Sequence, residues 1–563
     1  MIYHCEDHTC NYWDEGEKLP ERCPQCGRKL LCANEADMTG DDWTALGNTL
    51  WDAEASDKKR MVDCFRKAAY LGSAWGVCNL GICMEQGNGV EADPVQAFWL
   101  YQQAVEMGSL NAVCCLGVCY QYGIGTAPDA EKAAELYCKA AEYGSPRGQM
   151  LLARAFHDGI GVEADAAEAV HWVRAAAYQR YGEGMYRLGV CYEYGDGVEQ
   201  NWEHAVHWFR EAAESGVSVA MTDLGYCYEK GCGVEQSWEQ AFFWYRRGAE
   251  CGDPVSMSNL GLCYKRGYGV EQNWQEAVKW YEQGAQCGHL QSMNNLACCY
   301  ERGEGVEQNE DRALYWYRRG AEAGSDYCMY CLGWNYSNGE GVEQNMTEAI
   351  RWYTAAAEGG NADAMHDLGW HYDHGEGVEQ DMKKAICWYE RAAEQNHPAA
   401  MNSLGECYAM GRGVPRDLET AMEWYRRAAE LGEAMADYNM GWHLEQAGKL
   451  SEAYAHYRKA ADGNDDSAWW ALGRFYENGV VVAQDGKEAR RCYETGEKLG
   501  SVKCKMRLAR CKLLGIGGRR AKKAGLDLCR QALELAKESS EKEDYGYEAE
   551  MNLLRRTIAE NES

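Results

Sequence analysis

The chain has 563 residues, a formal net charge of −31 and only eight prolines. A single compact core would be unusual at this length, and no apolar run of eighteen residues suggests a membrane span. The strong negative charge disfavours nucleic acid and favours basic partners. The N-terminus has no basic region followed by an apolar stretch, so we expect a cytoplasmic protein with no membrane insertion.

Four cysteines near the N-terminus have the spacing of a metal site. Cys5, Cys10, Cys23 and Cys26 form the pattern C-x4-C-x12-C-x2-C, and the second pair lies in the tight turn CPQCG. Four thiolates on two turns suit tetrahedral Zn²⁺ in a closed, structural site. Residues 1–40 are therefore predicted to be a zinc ribbon, with an N-terminal arm of free thiols as the alternative.

The segment CNYWDEGEKLPERCPQCG resembles the rubredoxin-like zinc ribbon over about 25 residues. The first turn departs from that family by two extra residues. Asn11 and Tyr12 follow Cys10 as the family's aromatic residue follows its second ligand, which favours Cys10 as a ligand, and His8 stays open as the alternative. Zinc is favoured over iron because the longer first turn and the lack of an evident electron-transfer partner argue against a redox role.

An interval of 36 residues organises the rest of the chain. It is marked by a leucine, or once a methionine, which we use as the landmark from which positions are counted. A fixed period of this length indicates a solenoid, in which each unit buries its apolar face only against its neighbours. We predict an array of about 14 repeats over residues 41–538 and a C-terminal capping helix over 539–563. The landmarks are Leu80, Leu116, Leu152, Leu188, Leu224, Leu260, Leu296, Leu332, Leu368, Leu404 and Met440, with looser copies at Leu46, Leu472 and Leu508.

The loop of each repeat has glycines seven and nine residues after the landmark, as in GDGVEQN at 195–201. Such a loop could cradle a phosphate, but the Lys and Ser/Thr of a phosphate loop are lacking. A left-handed glycine that ends one helix, followed by a side chain that caps the next, is the better interpretation. The predicted caps are Asp93, Asp129, Asp165, Asn201, Ser237, Asn273, Asn309, Asn345, Asp381 and Asp417.

The second helix of each repeat has one stripe of small and large residues. Alanine stands at plus 17, tryptophan at plus 20 in eight consecutive repeats, and usually tyrosine or phenylalanine at plus 21. This spacing predicts core packing, with a stacking platform for sugars or bases as the alternative. Eight cysteines at plus 3 are expected to be buried thiols. The tryptophans are Trp172, Trp208, Trp244, Trp280, Trp316, Trp352, Trp388 and Trp424.

The pattern A-x-x-W-Y-x-x-A-A-x-x-G, followed by A-x-x-x-L-G-x-x-Y-x-x-G-x-G-V, resembles the Sel-one-like repeats (SLR), relatives of the tetratricopeptide repeats, over most of residues 41–530. The resemblance implies an all-α, right-handed superhelical solenoid of antiparallel helix pairs that acts as a scaffold or adaptor and not as an enzyme. Near Met440, LEQAGKLSEAYAHYRKAAD lacks four loop residues and resembles a plain tetratricopeptide repeat.

The same resemblance implies that first-helix positions minus 2, plus 2 and plus 5 line the concave face. Three repeats have aromatic residues there instead of ordinary polar ones, and such residues beside hydrogen-bonding groups anchor peptides. We therefore expect a basic or polar protein or peptide partner on this face. The segment MHDLGWHYDHGEG also suggests a metal, but His371 falls in the buried plus-3 position. The expected face consists of Tyr330, Trp334, Ser337, His366, Trp370, Asp373, Tyr438, Trp442 and Glu445.

Two other functions stay open at this point. Secreted cysteine-rich relatives of the SLR family are associated with β-lactam binding and hydrolysis, but no Ser-x-x-Lys with companion motifs is present. A nucleic-acid-associated protein could use the ribbon together with residues 501–530, where ten Lys/Arg stand against Asp527 alone. A solvated capping helix that balances its acidic neighbours is the simpler interpretation of this basic segment.

Overall fold

The computed structural model describes residues 2–5, 13–15, 30–33, 38–51, 55–542 and 548–562, with the backbone alone for the first three ranges and for residues 55–56, 538–542 and 562. It divides into two units, Met1–Ser292 and Met293–Ser563. Three of the predicted zinc ligands, Cys10, Cys23 and Cys26, and the alternative His8 lie outside the described residues. The structure therefore leaves the metal prediction as it stands.

The first unit begins with a small antiparallel sheet of strand order β2-β1-β3, formed by β1 (Ile2–Cys5), β2 (Trp13–Glu15) and β3 (Leu30–Ala33). Helices follow in consecutive pairs. They are α1 (Gly40–Thr49), α2 (Ala55–Tyr70), α3 (Ala74–Gln86), α4 (Pro94–Glu106), α5 (Leu110–Tyr122), α6 (Ala130–Glu142), α7 (Pro146–Asp158), α8 (Ala166–Tyr178), α9 (Gly182–Tyr194), α10 (Trp202–Glu214), α11 (Ser218–Lys230), α12 (Trp238–Glu250), α13 (Pro254–Arg266) and α14 (Trp274–Gln286).

The second unit continues the same alternation, and the boundary between the units falls inside α15. Odd-numbered helices are the first helices of repeats and even-numbered ones the second. The helices are α15 (Leu290–Arg302), α16 (Glu310–Glu322), α17 (Asp326–Asn338), α18 (Met346–Glu358), α19 (Ala362–His374), α20 (Met382–Glu394), α21 (Pro398–Met410), α22 (Leu418–Glu430), α23 (Ala434–Gln446), α24 (Leu450–Asp462), α25 (Asp466–Asn478), α26 (Gly486–Lys498), α27 (Val502–Leu514), α28 (Lys522–Lys542) and α29 (Glu548–Glu562).

These pairs confirm the predicted all-α solenoid of 36-residue repeats. At the C-terminus, α28 continues to Lys542, four residues beyond the expected end of the array, and a further helix, α29, begins at Glu548. The repeat at Met440 has the short loop expected for it, since α23 ends at Gln446 and α24 begins at Leu450.

The loops between paired helices form as the sequence predicts. Gly231 ends α11 in the left-handed conformation at φ 74°, and its N–H bonds the carbonyl of Cys227 at 2.8 Å. Ser237 then caps α12 by accepting a hydrogen bond from the N–H of Gln240 at 3.3 Å. All ten predicted caps accept a backbone N–H from the first turn of their helix, so the glycine loop is confirmed as a helix stop and start.

The main ring of the core stands one residue after the expected tryptophan. Only Trp244 and Trp316 of the eight tryptophans are buried, and the others are half-buried. Because one residue turns a helix by about 100°, the plus-21 side chain points more directly at the first helix. The fully buried rings there are Tyr101, Tyr137, Phe209, Tyr245, Tyr281, Tyr317, Tyr353, Tyr389, Tyr425 and Tyr493, with Tyr457 as the equivalent in the repeat whose loop is four residues shorter.

Each of these rings packs on the residue that follows the landmark, which is nearly always glycine. A Cβ added to Gly225 would lie 2.6 Å from Cε1 of Tyr245, and one added to Gly369 would lie 2.7 Å from the ring of Tyr389. The repeat whose plus-21 residue is the smaller Val173 has Ala153 at the glycine position. Glycine is therefore present in the helix interior to make room for the ring.

The plus-3 cysteines behave as expected. Seven of the eight are buried and Cys191 is half-buried. Burial raises the pKa of Cys83, Cys263 and Cys407 to about 11, 12 and 11.

The packing of ring on glycine predicts a specific loss of stability. Gly225→Ala places a methyl group inside the space of the Tyr245 ring, so we expect a loss of about 1 to 3 kcal/mol in the free energy of unfolding, measured by urea titration. Tyr245→Val removes the ring and supplies the size found at Val173. The double variant should lose less than the sum of the two single losses, and additive losses would contradict the proposed contact.

Candidate protein-binding surface

The first helices α17, α19 and α23 carry the residues predicted to bind a partner. Trp334 and Trp442 stand at plus 2 of their repeats with 47% and 43% of their surface exposed. Trp370 occupies the same position between them and is half-buried, with its ring stacked on His374 at 4.3 Å. The structure therefore places three indoles at one position of the repeat, two of them open to solvent.

The two tyrosines at minus 2 are less exposed than expected for residues that anchor a peptide. Tyr330 leans on the core ring of Tyr353 at 5.8 Å and donates a hydrogen bond to Oδ2 of Asp367 at 3.2 Å. Tyr438 leans in the same way on Tyr457 at 5.6 Å. Both rings are half-buried, so they support the indoles and join the surface to the core.

A polar network surrounds His366. Its Nδ1 lies 3.0 Å from Oδ1 of Asp367, and its ring stacks on His397 at 5.2 Å. His397 contacts Oδ1 of Asp363 at 3.1 Å through Nε2, and its Nδ1 accepts the N–H of Ala400 as the cap of α21. The network links two neighbouring repeats and gives this part of the face its acidic groups.

Position plus 5 differs from the expectation of an exposed polar residue. Asp373 is only 4% exposed and forms an ion pair with Arg412 at 2.9 Å. Glu445 accepts hydrogen bonds from Oη of Tyr457 at 2.7 Å and from Arg474 at 2.8 Å. The plus-5 side chains therefore serve mainly to hold the repeat and its neighbour together.

Two exposed residues of the same face were missed by the sequence analysis. Tyr327 and Met435 are 42% and 49% exposed and stand seven residues before Trp334 and Trp442. Residues seven apart lie two turns apart on one side of a helix, so this spacing was the available signal. We define the first-helix face as Tyr327, Tyr330, Trp334, His366, Trp370, Met435, Tyr438 and Trp442.

The histidines of MHDLGWHYDHGEG have separate surroundings. His371 is buried at plus 3, as expected, and its Nδ1 lies 3.1 Å from the carbonyl of Glu376. The Nδ1 of His374 lies 3.0 Å from the carbonyl of Trp370. Within the described side chains, no three His, Cys, Asp or Glu residues are grouped as metal ligands would be.

The basic segment near the C-terminus is partly neutralised inside the fold. Arg507 forms a bidentate pair with Glu550 of α29 at 2.6 and 2.7 Å, and Arg510 pairs with Glu477. The Arg507 pair anchors α29 on α27, and the Arg510 pair joins α27 to α25. No helix in the described parts of the chain is long and apolar enough to cross a membrane.

Consecutive helix pairs, left-handed glycine loops and a repeated ring on glycine define a helical-repeat protein of the tetratricopeptide-like class. The Sel1 repeat family model matches twelve segments, which cover most of the chain, and the chain belongs to the Sel1 repeat family. The segments are 76–109, 112–145, 146–181, 182–217, 218–253, 254–289, 290–325, 326–361, 362–397, 398–433, 434–465 and 468–501.

Two solved structures illustrate the relationship. A protective antigen of uropathogenic Escherichia coli that displays an SLR fold is 29% identical, with a TM-score of 0.54, and the match covers 76% of this chain and 94% of that chain. A Sel1 repeat protein from Oxalobacter formigenes is 32% identical over 43% of this chain and 96% of that chain, with a TM-score of 0.40. No curated protein matches the chain.

The two histidines at plus 3 predict a pH dependence of stability. Burial lowers the pKa of His371 and of His443, so the unfolded chain binds these protons more readily than the folded chain. The stability they contribute is fully present above the unfolded pKa of about 6.5 and is lost as the pH falls through their lower folded values.

Cysteine occupies plus 3 in eight other repeats, so the double variant His371→Cys/His443→Cys fits the site. We expect the wild type to lose more stability than this variant between about pH 7 and pH 5, measured by urea titration at each pH. Equal losses would show that the two imidazoles do not titrate with folding. Carboxylates that titrate in the same range are common to both proteins and cancel in the comparison.

Proposed function

We propose that the chain is a scaffold that holds an extended peptide, basic or polar in character, on the first-helix face between residues 327 and 442. The observation that carries the proposal is the exposure of Trp334 and Trp442 in repeats whose core is already filled by Tyr353 and Tyr457. A large ring that the fold does not need for packing is available for a partner.

The charge of the surface supports the chemistry of this partner. Asp363, Asp367 and Glu406 lie on α19 and α21 between the exposed indoles, and Arg412 is paired with Asp373 and Glu406. With a net charge of −31, the chain attracts a basic segment over a distance. Indoles also bind Lys and Arg side chains through cation–π contacts. A peptide with basic and apolar residues in alternation fits both features.

Catalysis is not part of the proposal. Asp367, His366 and Ser403 lie in the order of a hydrolase triad, with His366 Nδ1 at 3.0 Å from Asp367 and its Nε2 at 3.5 Å from Ser403 Oγ. Ser403 stands in the interior of α21, however, where backbone N–H groups are used by the helix and none is free to stabilise an oxyanion. Turnover of a chromogenic cephalosporin above the rate in buffer would contradict this proposal.

The peptide proposal can be tested on the full chain with a displayed library of random peptides. We expect the selected sequences to be rich in Lys and Arg and their binding to weaken as salt is added. Trp334→Ala and Trp442→Ala should each weaken a selected peptide by about 1 to 3 kcal/mol, measured by fluorescence anisotropy, with little effect on the unfolding midpoint.

Trp244→Ala is the matched control, because the same ring is buried there in the core of the first unit. It should cost roughly 3 to 5 kcal/mol of stability while the folded protein binds the peptide normally. Acidic selected sequences, or binding that survives the loss of both exposed indoles, would refute the assignment of the face. A large loss of stability in Trp334→Ala would show that this ring belongs to the core.

We further propose that the N-terminal segment is a structural zinc ribbon held by Cys5, Cys10, Cys23 and Cys26. The register of the small sheet supports it, because Cys5 at the end of β1 pairs with Leu30 at the start of β3. Leu30 follows Cys26 by four residues in the sequence, so a turn at the second cysteine pair would come just before β3. Zinc would hold the two turns together where so short a segment can bury little apolar surface.

Elemental analysis of protein purified without chelator should find one zinc per chain. Cys23→Ser and Cys26→Ser should lose the metal, because each removes one of four thiolates. Cys10→Ser and His8→Ala separate the two candidates for the second ligand. We expect Cys10→Ser to lose zinc and His8→Ala to keep it. Protein without stoichiometric metal would end the zinc proposal without affecting the peptide proposal.

A further inference from the structure

Two cysteines of neighbouring repeats meet in the first unit, away from the proposed peptide surface. Cys78 lies in α3 at minus 2 of its repeat and Cys115 in α5 at minus 1 of the next. Both side chains belong to one buried cluster, and each thiol affects the pKa of the other. Eight other cysteines of the array stand at plus 3, about a turn further along the helix.

Two polar side chains hold this pair in place. Arg147, at the start of α7, donates from Nη1 to Sγ of Cys115 at 3.6 Å and to Oδ1 of Asn111 at 2.7 Å. Asn111 in turn donates from Nδ2 to Sγ of Cys78 at 3.7 Å. Hydrogen bonds through Asn111 and Arg147 thus connect the two sulfur atoms, with side chains from three successive first helices.

The surroundings shift the pKa values of the two thiols in opposite directions, up for Cys78 and down for Cys115. The hydrogen bond from Cys78 and the guanidinium of Arg147 lower the pKa of Cys115, against burial, which raises it. Burial raises the pKa of Cys114, the adjacent residue of the same helix. A thiolate beside arginine is the reactive form of cysteine, so Cys115 is the nucleophile of the pair and Cys78 is the resolving thiol.

We propose that Cys78 and Cys115 are a dithiol pair that a peroxide oxidises to a disulfide, which links the first helices of two neighbouring repeats. A small oxidant is required, because Cys78 and Cys115 are only 1% and 5% exposed. The helices α3 and α5 contain residue pairs whose Cα atoms lie within 8 Å of each other, so the two first helices are neighbours.

The chemistry proceeds in two steps. The Cys115 thiolate attacks one oxygen of the peroxide, the O–O bond breaks, and a sulfenic acid forms while hydroxide leaves and takes up the proton that Cys115 released. Cys78 then attacks the sulfur of Cys115, the S–S bond forms, and the S–O bond breaks with loss of water. For hydrogen peroxide, two thiols are oxidised by two electrons and one peroxide is reduced to two waters.

The test treats the reduced full chain with hydrogen peroxide near neutral pH, alkylates the remaining thiols and digests the protein without reductant. We expect a linked peptide that contains Cys78 and Cys115 and disappears after dithiothreitol. Cys115→Ser should abolish this peptide. Cys114→Ser, which changes the neighbouring cysteine of the same helix, should leave its yield unchanged.

Arg147 supplies a second comparison. Arg147→Met should slow formation of the linked peptide by roughly threefold to tenfold, because one unit of pKa changes the thiolate fraction up to tenfold. Arg147→Lys keeps the positive charge and should restore most of the rate. Circular dichroism and the thermal midpoint show whether each variant is folded, so a lost linkage in an unfolded variant is not counted as support.

Two results would overturn the proposal. In the first, a sulfenic-acid trap labels Cys115 and no linked peptide forms, which would show that Cys78 does not resolve it. In the second, the exposed Cys251 and Cys287 are oxidised while the pair stays reduced, which would show that peroxide does not reach it. Neither result affects the proposed peptide surface, because the pair lies in a different unit of the chain.

Discussion

The contact of a plus-21 tyrosine with the glycine after the landmark is the constraint on which most repeats depend. It lets the second helix approach the first closely. In five repeats with glycine, the tyrosine hydroxyl also bonds a glutamate or glutamine at plus 5, at 2.6 to 2.9 Å, as Tyr101 does with Glu85 and Tyr245 with Glu229. Where Ala297 replaces glycine, Tyr317 lies farther from its glutamate, at 3.3 Å, and also contacts Cys298.

This division of labour explains which positions can carry function. The plus-21 and plus-5 residues are occupied by packing and hydrogen bonding within the repeat, whereas plus 2 and minus 5 face away from the second helix. Substitution at these free positions changes the surface without opening the core, so Trp334 and Trp442 can stand where other repeats have Val118 or Glu406. A solenoid can therefore vary its binding face repeat by repeat while each unit keeps the same interior.

The sequence predicted the features that depend on near neighbours. Helix caps, glycine stops and the short loop after Gln446 each involve residues a few positions apart, and all are confirmed. The eight tryptophans at plus 20 were expected in the core, but six of them are only half-buried. The expectation failed because the pattern has rings at two adjacent positions and does not show which of them points inward. The pairing of Asp373 with Arg412 joins residues 39 apart in neighbouring repeats, and periodicity alone does not reveal it. The ligands Cys10, Cys23 and Cys26 stay a prediction.

The cysteines show how position in the repeat, and not residue count, sets the chemistry. At plus 3 the thiol enters the space between helices, and burial raises the pKa of Cys83 to about 11 and of Cys227 to about 12. A histidine in the same position, His371, has its pKa lowered by the same burial, since removal from water disfavours whichever form is charged. At minus 1, Cys115 accepts a hydrogen bond from Arg147 of the next repeat. This positive charge favours the thiolate of Cys115, whereas burial disfavours the thiolates at plus 3. The reactivity proposed for Cys115 therefore depends on a contact between neighbouring repeats, which Arg147 supplies.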